Sequence, residues 1–183
     1  MKRIVLACFS LICLPFLAHA QIMVIGSGLG KDCFKAAKTY PDIRGNAERI
    51  CSDAIKSGTL TERDLTASYV NRGIIRMRVS KFDGAYADYA AARKLSPKNG
   101  IIYLNEGAAL IRDRRPYDAI AALKKSLGLK TKDAHIAYYN LGLAYDMTEQ
   151  LNEAYFAFQE ALKLKPDWPL ALEQLDRYIV SEG

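Results

Sequence analysis

Apolar positions recur at helical spacing along residues 66–168, and the pattern comes back on itself. Ile101, Leu104, Ala108 and Ile111 fall three or four residues apart, on one face of a helix. The same reading predicts six helices, over residues 61–78, 82–95, 99–112, 116–129, 134–147 and 151–164. Pro97 and Pro166 stop the second and sixth, because Pro has no backbone N–H and its ring clashes with the preceding turn. Pro116 stands at a first helical position, where that N–H is not needed. Thr61-Glu62-Arg63-Asp64 has the form of a capping box, with Asp in place of Glu. Asp83, Asp118 and Glu153 open the second helix of each pair, where a carboxylate meets the positive end of the helix dipole. Upstream, residues 32–40 read as a short helix capped by Asp32 and stopped by Pro41, and residues 46–57 as another ended by Gly58. Downstream, Trp168-Pro169 starts a last helix reaching about Val180, with Leu170, Leu172, Leu175 and Ile179 inward and Glu173, Gln174, Asp176 and Arg177 in water.

The six helices are three copies of one unit. Tyr69, Tyr103 and Tyr138 each precede a Gly by four residues (Gly73, Gly107, Gly142), at spacings of 34 and then 35 residues. Twelve residues after each Gly stands Ala85, Ala119 or Ala154, and four further on Tyr89, Leu123 or Phe158. Ala92, Ser126 or Ala161 follows, and the copies close with Pro97, Thr131 and Pro166. Thr131 departs from the pattern, and the extra residue of the longer spacing falls nearby, so that linker is expected to be longer and looser. This series resembles the tetratricopeptide repeat (TPR), W-x2-L-G-x2-Y…A-x3-F…P. The resemblance implies an all-α solenoid of three TPR helix pairs, with a degenerate N-terminal helix pair and a C-terminal capping helix. The expected divisions are a signal peptide at 1–20, a flexible tail at 21–31, a cap at 32–60, repeats at 66–99, 100–133 and 135–168, and a capping helix at 169–183.

Gly in mid-helix costs about 1 kcal/mol relative to Ala, and here it recurs three times. Close approach of the paired helices is the expected offset, with Gly on one helix facing Ala on the next and the aromatic or Leu filling the adjoining groove.

The amino terminus changes the picture of where the protein works. Lys2 and Arg3 precede an apolar run over residues 4–17 that ends in Ala18-His19-Ala20, the pattern of a secretory signal cut after Ala20. About 14 residues fall short of the roughly 20 that span a bilayer, so no stable membrane insertion is expected after cleavage. The chain has 26 basic and 20 acidic residues. Losing Lys2 and Arg3 leaves 24 against 20, a mild excess that, with export, argues against nucleic acid as a partner. Cleavage also leaves two cysteines, Cys33 and Cys51. An even pair in an exported protein points to a disulfide, worth about 3 kcal/mol for a loop of this length.

In the TPR family the first helices of the repeats line a concave groove, and the resemblance implies a protein or extended-peptide partner there. Asn71, Asn105 and Asn140 each stand two residues before the motif Gly. An amide both donates and accepts, so three in a row could grip a peptide backbone whatever its side chains; the plainer reading is polar groups on a solvated face. Ile74, Leu104, Ala108, Ile111, Tyr139 and Leu143 make the expected groove apolar, with Arg78 and Arg112 near its edges. Val70, Ile74 and Ile136 stand where the chaperone-binding TPR type needs Lys or Asn, which argues against that specificity. The tyrosines fall mostly at core positions.

Nothing in the chain calls for catalysis, a cofactor or a metal. The mature chain would hold one histidine, His135, and no H-E-x-x-H or G-x-S-x-G. Gly26-Ser27-Gly28-Leu29-Gly30-Lys31 fits neither the dinucleotide fingerprint nor a P-loop in spacing. The expectation is a periplasmic, non-enzymatic interaction scaffold that aids complex assembly; the alternative is a constitutive structural subunit or homodimer of an envelope complex.

Overall fold

The computed structural model describes residues 3–6, 28–38 and 46–181, with side chains from Gly28 onward as far as Tyr178. The expected cleavage site, residues 21–27 and Pro41 lie outside the described residues. Nine helices follow in order among those described: α1 (Gly28–Lys38), α2 (Asn46–Lys56), α3 (Glu62–Arg78), α4 (Phe82–Leu95), α5 (Gly100–Arg112), α6 (Pro116–Gly128), α7 (Ala134–Asp146), α8 (Leu151–Leu164) and α9 (Pro169–Leu175). Consecutive helices pack as antiparallel pairs, α3 on α4, α5 on α6 and α7 on α8, and the first helices α3, α5 and α7 lie side by side. The fold is an α-solenoid of three helix pairs, and each of the six helices begins and ends within about a residue of the bounds its apolar period predicts.

Within each pair the packing turns on the motif Gly. A Cβ on Gly73 would lie 2.6 Å from Cε1 of Tyr89, on Gly107 2.6 Å from Cγ of Leu123, and on Gly142 2.6 Å from Cε1 of Phe158. The large side chain therefore fills the place of the missing methyl itself, rather than a neighbouring groove. Each pair is joined by the same turn. Ser80, Arg114 and Glu149 take left-handed backbone conformations, with φ of 60°, 57° and 59°. After α3, the N–H of Lys81 bonds Arg76 O and that of Ser80 bonds Met77 O. After α5, Arg115 bonds Leu110 O and Arg114 bonds Ile111 O, the two-bond Schellman ending in both cases.

Polar groups tie the N-terminal pair to the solenoid. The buried carboxylate of Asp88 on α4 accepts from Arg72 Nη2 at 2.6 Å and Arg76 Nη1 at 2.9 Å, and Arg76 Nε reaches Glu48 on α2 at 2.9 Å. Lys81, with Arg76, holds the Glu48 carboxyl below the usual carboxylate range against the effect of its burial. Cys33 on α1 and Cys51 on α2 are joined in a disulfide, with their Cα atoms 4.5 Å apart. Thr61 caps α3 by accepting from the N–H of Asp64 at 3.2 Å.

Three features differ from the sequence expectation. Helix α1 begins at Gly28, four residues before Asp32, so part of the stretch expected to be a tail is helical. Gly30 is the reason: it is buried, and a Cβ there would lie 3.3 Å from Cβ of Asp64 on α3. Helix α9 ends at Leu175 instead of near Val180; Leu170 and Leu175 face the core and Glu173 and Asp176 the water as expected, but Gln174 is buried and Leu172 exposed. Beyond it, Tyr178–Ser181 forms strand β2, pairing antiparallel with β1 (Arg3–Leu6) in the register Arg3↔Ser181 to Leu6↔Tyr178. Tyr, Ile and Val favour a strand over a helix, and a paired strand outcompetes the last helical turns. In the uncut chain β1, part of the expected signal segment, also lies against α8.

Candidate peptide-binding groove

The first helices bring the predicted groove residues together. Asn71 on α3, Asn105 on α5 and Asn140 on α7 hold the same place in each repeat, and Ile74, Leu104, Ala108, Ile111, Tyr139 and Leu143 flank them. None of the three Asn stands on a solvated face, because all three are fully buried in the folded chain. So are Ile74, Leu104 and Ala108, while Tyr139, Ile111 and Leu143 are nearly so. Burial pushes the Tyr139 hydroxyl up to about 12, with Glu173 adding to the shift and Arg177 opposing it.

The amides are buried without their hydrogen bonds. Neither side-chain atom of Asn71 or of Asn140 has a partner. Asn105 Nδ2 donates to the carbonyl of Ile101 at 2.9 Å, one turn back, and its Oδ1 is unpaired. An unpaired buried polar group costs about 1–3 kcal/mol, and apolar residues at these places would avoid the cost. Three such sites in register are polar by position, not by chance placement in a loop.

The two edge arginines are not alike. Arg78 donates to the carbonyl of Ala37 and so ties α3 to α1. Arg112 is half-buried at the end of α5, with its Nε unpaired. The run that follows is built into the turn: Asp113 accepts from Tyr86 at 2.8 Å, which together with burial raises that phenol, and Arg115 pairs with Asp118 at 2.7 Å. His135, at the start of α7, meets the edge of Trp168 with ring centroids 5.1 Å apart, a packing role. Tyr89 is fully buried and Tyr145 nearly so, as core positions require, while Tyr69, Tyr103 and Tyr138 are half-buried.

A cleft of about 440 Å³ is lined by residues from the starts of α3 and α5 and from both inter-repeat linkers, up to the Asp133 cap of α7. Sequence reasoning did not single it out. Its signal was there in the replacement of Pro by Thr131 and the extra residue beside it, which make residues 129–133 a longer linker than residues 96–99.

No helix among the described residues is long and apolar enough to cross a membrane. No curated protein matches the chain significantly. Solved structures match it along most of its length. PilW, described as a widely conserved type IV pilus biogenesis factor, is 24% identical over 81% of this chain and 68% of its own, with a TM-score of 0.68. MamA from Desulfovibrio magneticus RS-1 is 23% identical over 83% of this chain and 84% of its own, with a TM-score of 0.62. The N-terminal domain of stress-induced protein-1 from C. elegans is 18% identical over 64% of this chain and 97% of its own, with a TM-score of 0.57. At these identities the likeness is one of fold. Residues 135–167 match the family model of the tetratricopeptide repeat. Members of that family are non-catalytic protein-interaction scaffolds. The third helix pair is thus a tetratricopeptide repeat, and the two in-phase copies before it share its pattern.

Proposed function

We propose that the protein is an exported scaffold of the cell envelope, without enzymatic activity, that takes an extended peptide or protein segment along α3, α5 and α7 and so helps to assemble an envelope complex. One observation carries this reading: five side-chain amide atoms of Asn71, Asn105 and Asn140 lie buried in register without partners. A peptide backbone offers N–H and C=O groups at regular intervals, and pairing them with these amides removes a standing cost. The surrounding Ile74, Leu104, Ala108 and Leu143 favour a segment with apolar side chains. The amides are closed to solvent in the folded chain, so a partner reaches them only by moving the side chains packed around them. The signal-like amino terminus and the Cys33–Cys51 bridge support an oxidising, exported setting. The likeness in fold to PilW adds analogy for an envelope role.

The test is a crosslinking pull-down from native envelopes. The bait is the mature chain beside a triple Asn71→Ala, Asn105→Ala, Asn140→Ala variant shown to melt normally. Partners that vanish with the variant support the groove. Equal recovery by both baits would place binding elsewhere.

The subunit or homodimer reading has its own observation. Tyr117 on α6 is 72% exposed and Phe156 on α8 57%, both on second helices. Light scattering and melting across protein concentrations separate the readings, because only an obligate oligomer melts higher when concentrated.

A further inference from the structure

The cleft at the starts of the first helices differs in character from the apolar face it adjoins. Arg63, Lys98, Lys130 and Lys132 line it against two carboxylates, Glu62 and Asp133. None of the four basic side chains forms an ion pair, although nine ion pairs occur elsewhere among the described residues. Helix α5, 13 residues long, begins at this edge with the neutral Asn99 as its cap and no acidic residue in its first turn, whereas α7 begins with Asp133 at its cap. A second observation is independent of charge. Thr131 lines the cleft, is 9% exposed, and its Oγ1 has no hydrogen-bond partner. Its Cβ is held close to the start of α5: a Cβ on Gly100 would lie 3.1 Å from it. Thr131 stands where the other two repeats have Pro, which offers no hydroxyl at all. Ala67 and Val70 on α3 also line the cleft, and Asn71 follows Val70 in the chain.

We infer that this cleft is an acidic-segment subsite of the groove, in which Lys98, Lys130, Lys132 and the Thr131 hydroxyl receive Asp or Glu side chains next to the apolar stretch of the bound partner. The inference rests on the groove reading and specifies the partner's chemistry: an apolar segment flanked by acidic residues. The carboxylate meets cations, the amino-terminal end of α5 and an unpaired hydroxyl donor; a neutral flank gains none of these charge-assisted contacts.

The experiment uses the mature chain and two fluorescein-labelled probes, short Leu/Val/Ala peptides with amidated C-termini. One is flanked at both ends by Asp pairs and its twin by Asn pairs, and binding is read by anisotropy. The acidic probe is expected to bind about tenfold tighter at low salt, with the difference shrinking at about 0.5 M salt. A Lys98→Ala, Lys130→Ala, Lys132→Ala variant, altered only at exposed positions, should remove that preference and leave the Asn-flanked probe unaffected. Thr131→Val should weaken the acidic probe alone. Equal binding of both probes to the unaltered chain would overturn the subsite and leave the groove standing. Failure of both probes to bind would overturn the groove reading, and the subsite with it.

Discussion

Gly142 on α7 lies so close to the ring of Phe158 on α8 that a methyl group on it would sit 2.6 Å from Cε1. The same relation holds between Gly73 and Tyr89 and between Gly107 and Leu123. In each repeat the helix gives up roughly 1 kcal/mol of propensity, and the large side chain takes the vacated volume. Gly142→Ala should therefore destabilise by about 1–3 kcal/mol despite the better helix former, since a ring edge buried on every side has nowhere to move. Gly128→Ala is the matched control: nothing lies within 4 Å of the added Cβ, so it should be neutral or stabilising. Denaturant melts of the two variants read both signs.

The left-handed turns offer the opposite prediction. Arg114 holds a φ of 57° without the freedom of glycine, and Ser80 and Glu149 do the same at the matching turns. Arg114→Gly should raise stability by about 1 kcal/mol, because the αL strain of a residue with Cβ is relieved and the Schellman bonds stay. A lower melting temperature would show that the Arg114 side chain contributes more than its backbone costs.

The repeats were legible in the sequence for a physical reason. Their elements are long, amphipathic and stopped by Pro or polar residues, and the pattern stated three times removes chance. The misreadings are short or polar. Gly28 and Gly30 looked like a loop because propensity disfavours them, whereas at Gly30 contact with Asp64 on α3 selects a small residue. Gln174 looked solvated on a seven-residue helix, yet it is buried and its Oε1 accepts from Arg177, which in turn pairs with Asp146. Asn71, Asn105 and Asn140 were visible as a row; their burial was not, because it depends on packing between elements and not on the period of one helix.

Asp88 is 2% exposed and accepts from two arginines. Asp88→Ala should cost about 3–5 kcal/mol, since it leaves the half-buried Arg72 without its anion and Arg76 with Glu48 alone. Asp88→Leu in an Arg72→Met, Arg76→Met background should recover much of this, as apolar replacement of a buried ion cluster often does. Calorimetry of the three chains decides the matter.

Stability should also depend on pH through His135. Burial, and then Lys165, hold its imidazole below the ordinary range, with Asp133 opposing. A base whose folded pKa is depressed contributes full stability above its ordinary value of about 6.5 and loses it as pH falls below, where the unfolded chain takes up a proton the folded chain refuses. The melting temperature should drop as pH goes from 7 toward 5.5, and His135→Phe, which keeps the contact with Trp168, should flatten that part of the curve. Reducing Cys33–Cys51 should lower the melting temperature at every pH, by an amount corresponding to about 3 kcal/mol. Cys33→Ser should do the same, and equal melting with and without reductant would deny the bridge a stabilising role.

If the first helices hold the partner, a crosslinker on their face should capture it. The most direct test places a photocrosslinking amino acid at Arg112, on the groove edge of α5, and separately at Tyr117, on the outer face of α6, in cells expressing the protein. A discrete crosslinked adduct is expected from position 112, lost in the triple Asn variant, and none from position 117. An adduct from position 117 alone, unaffected by the Asn substitutions, would contradict binding along the first helices.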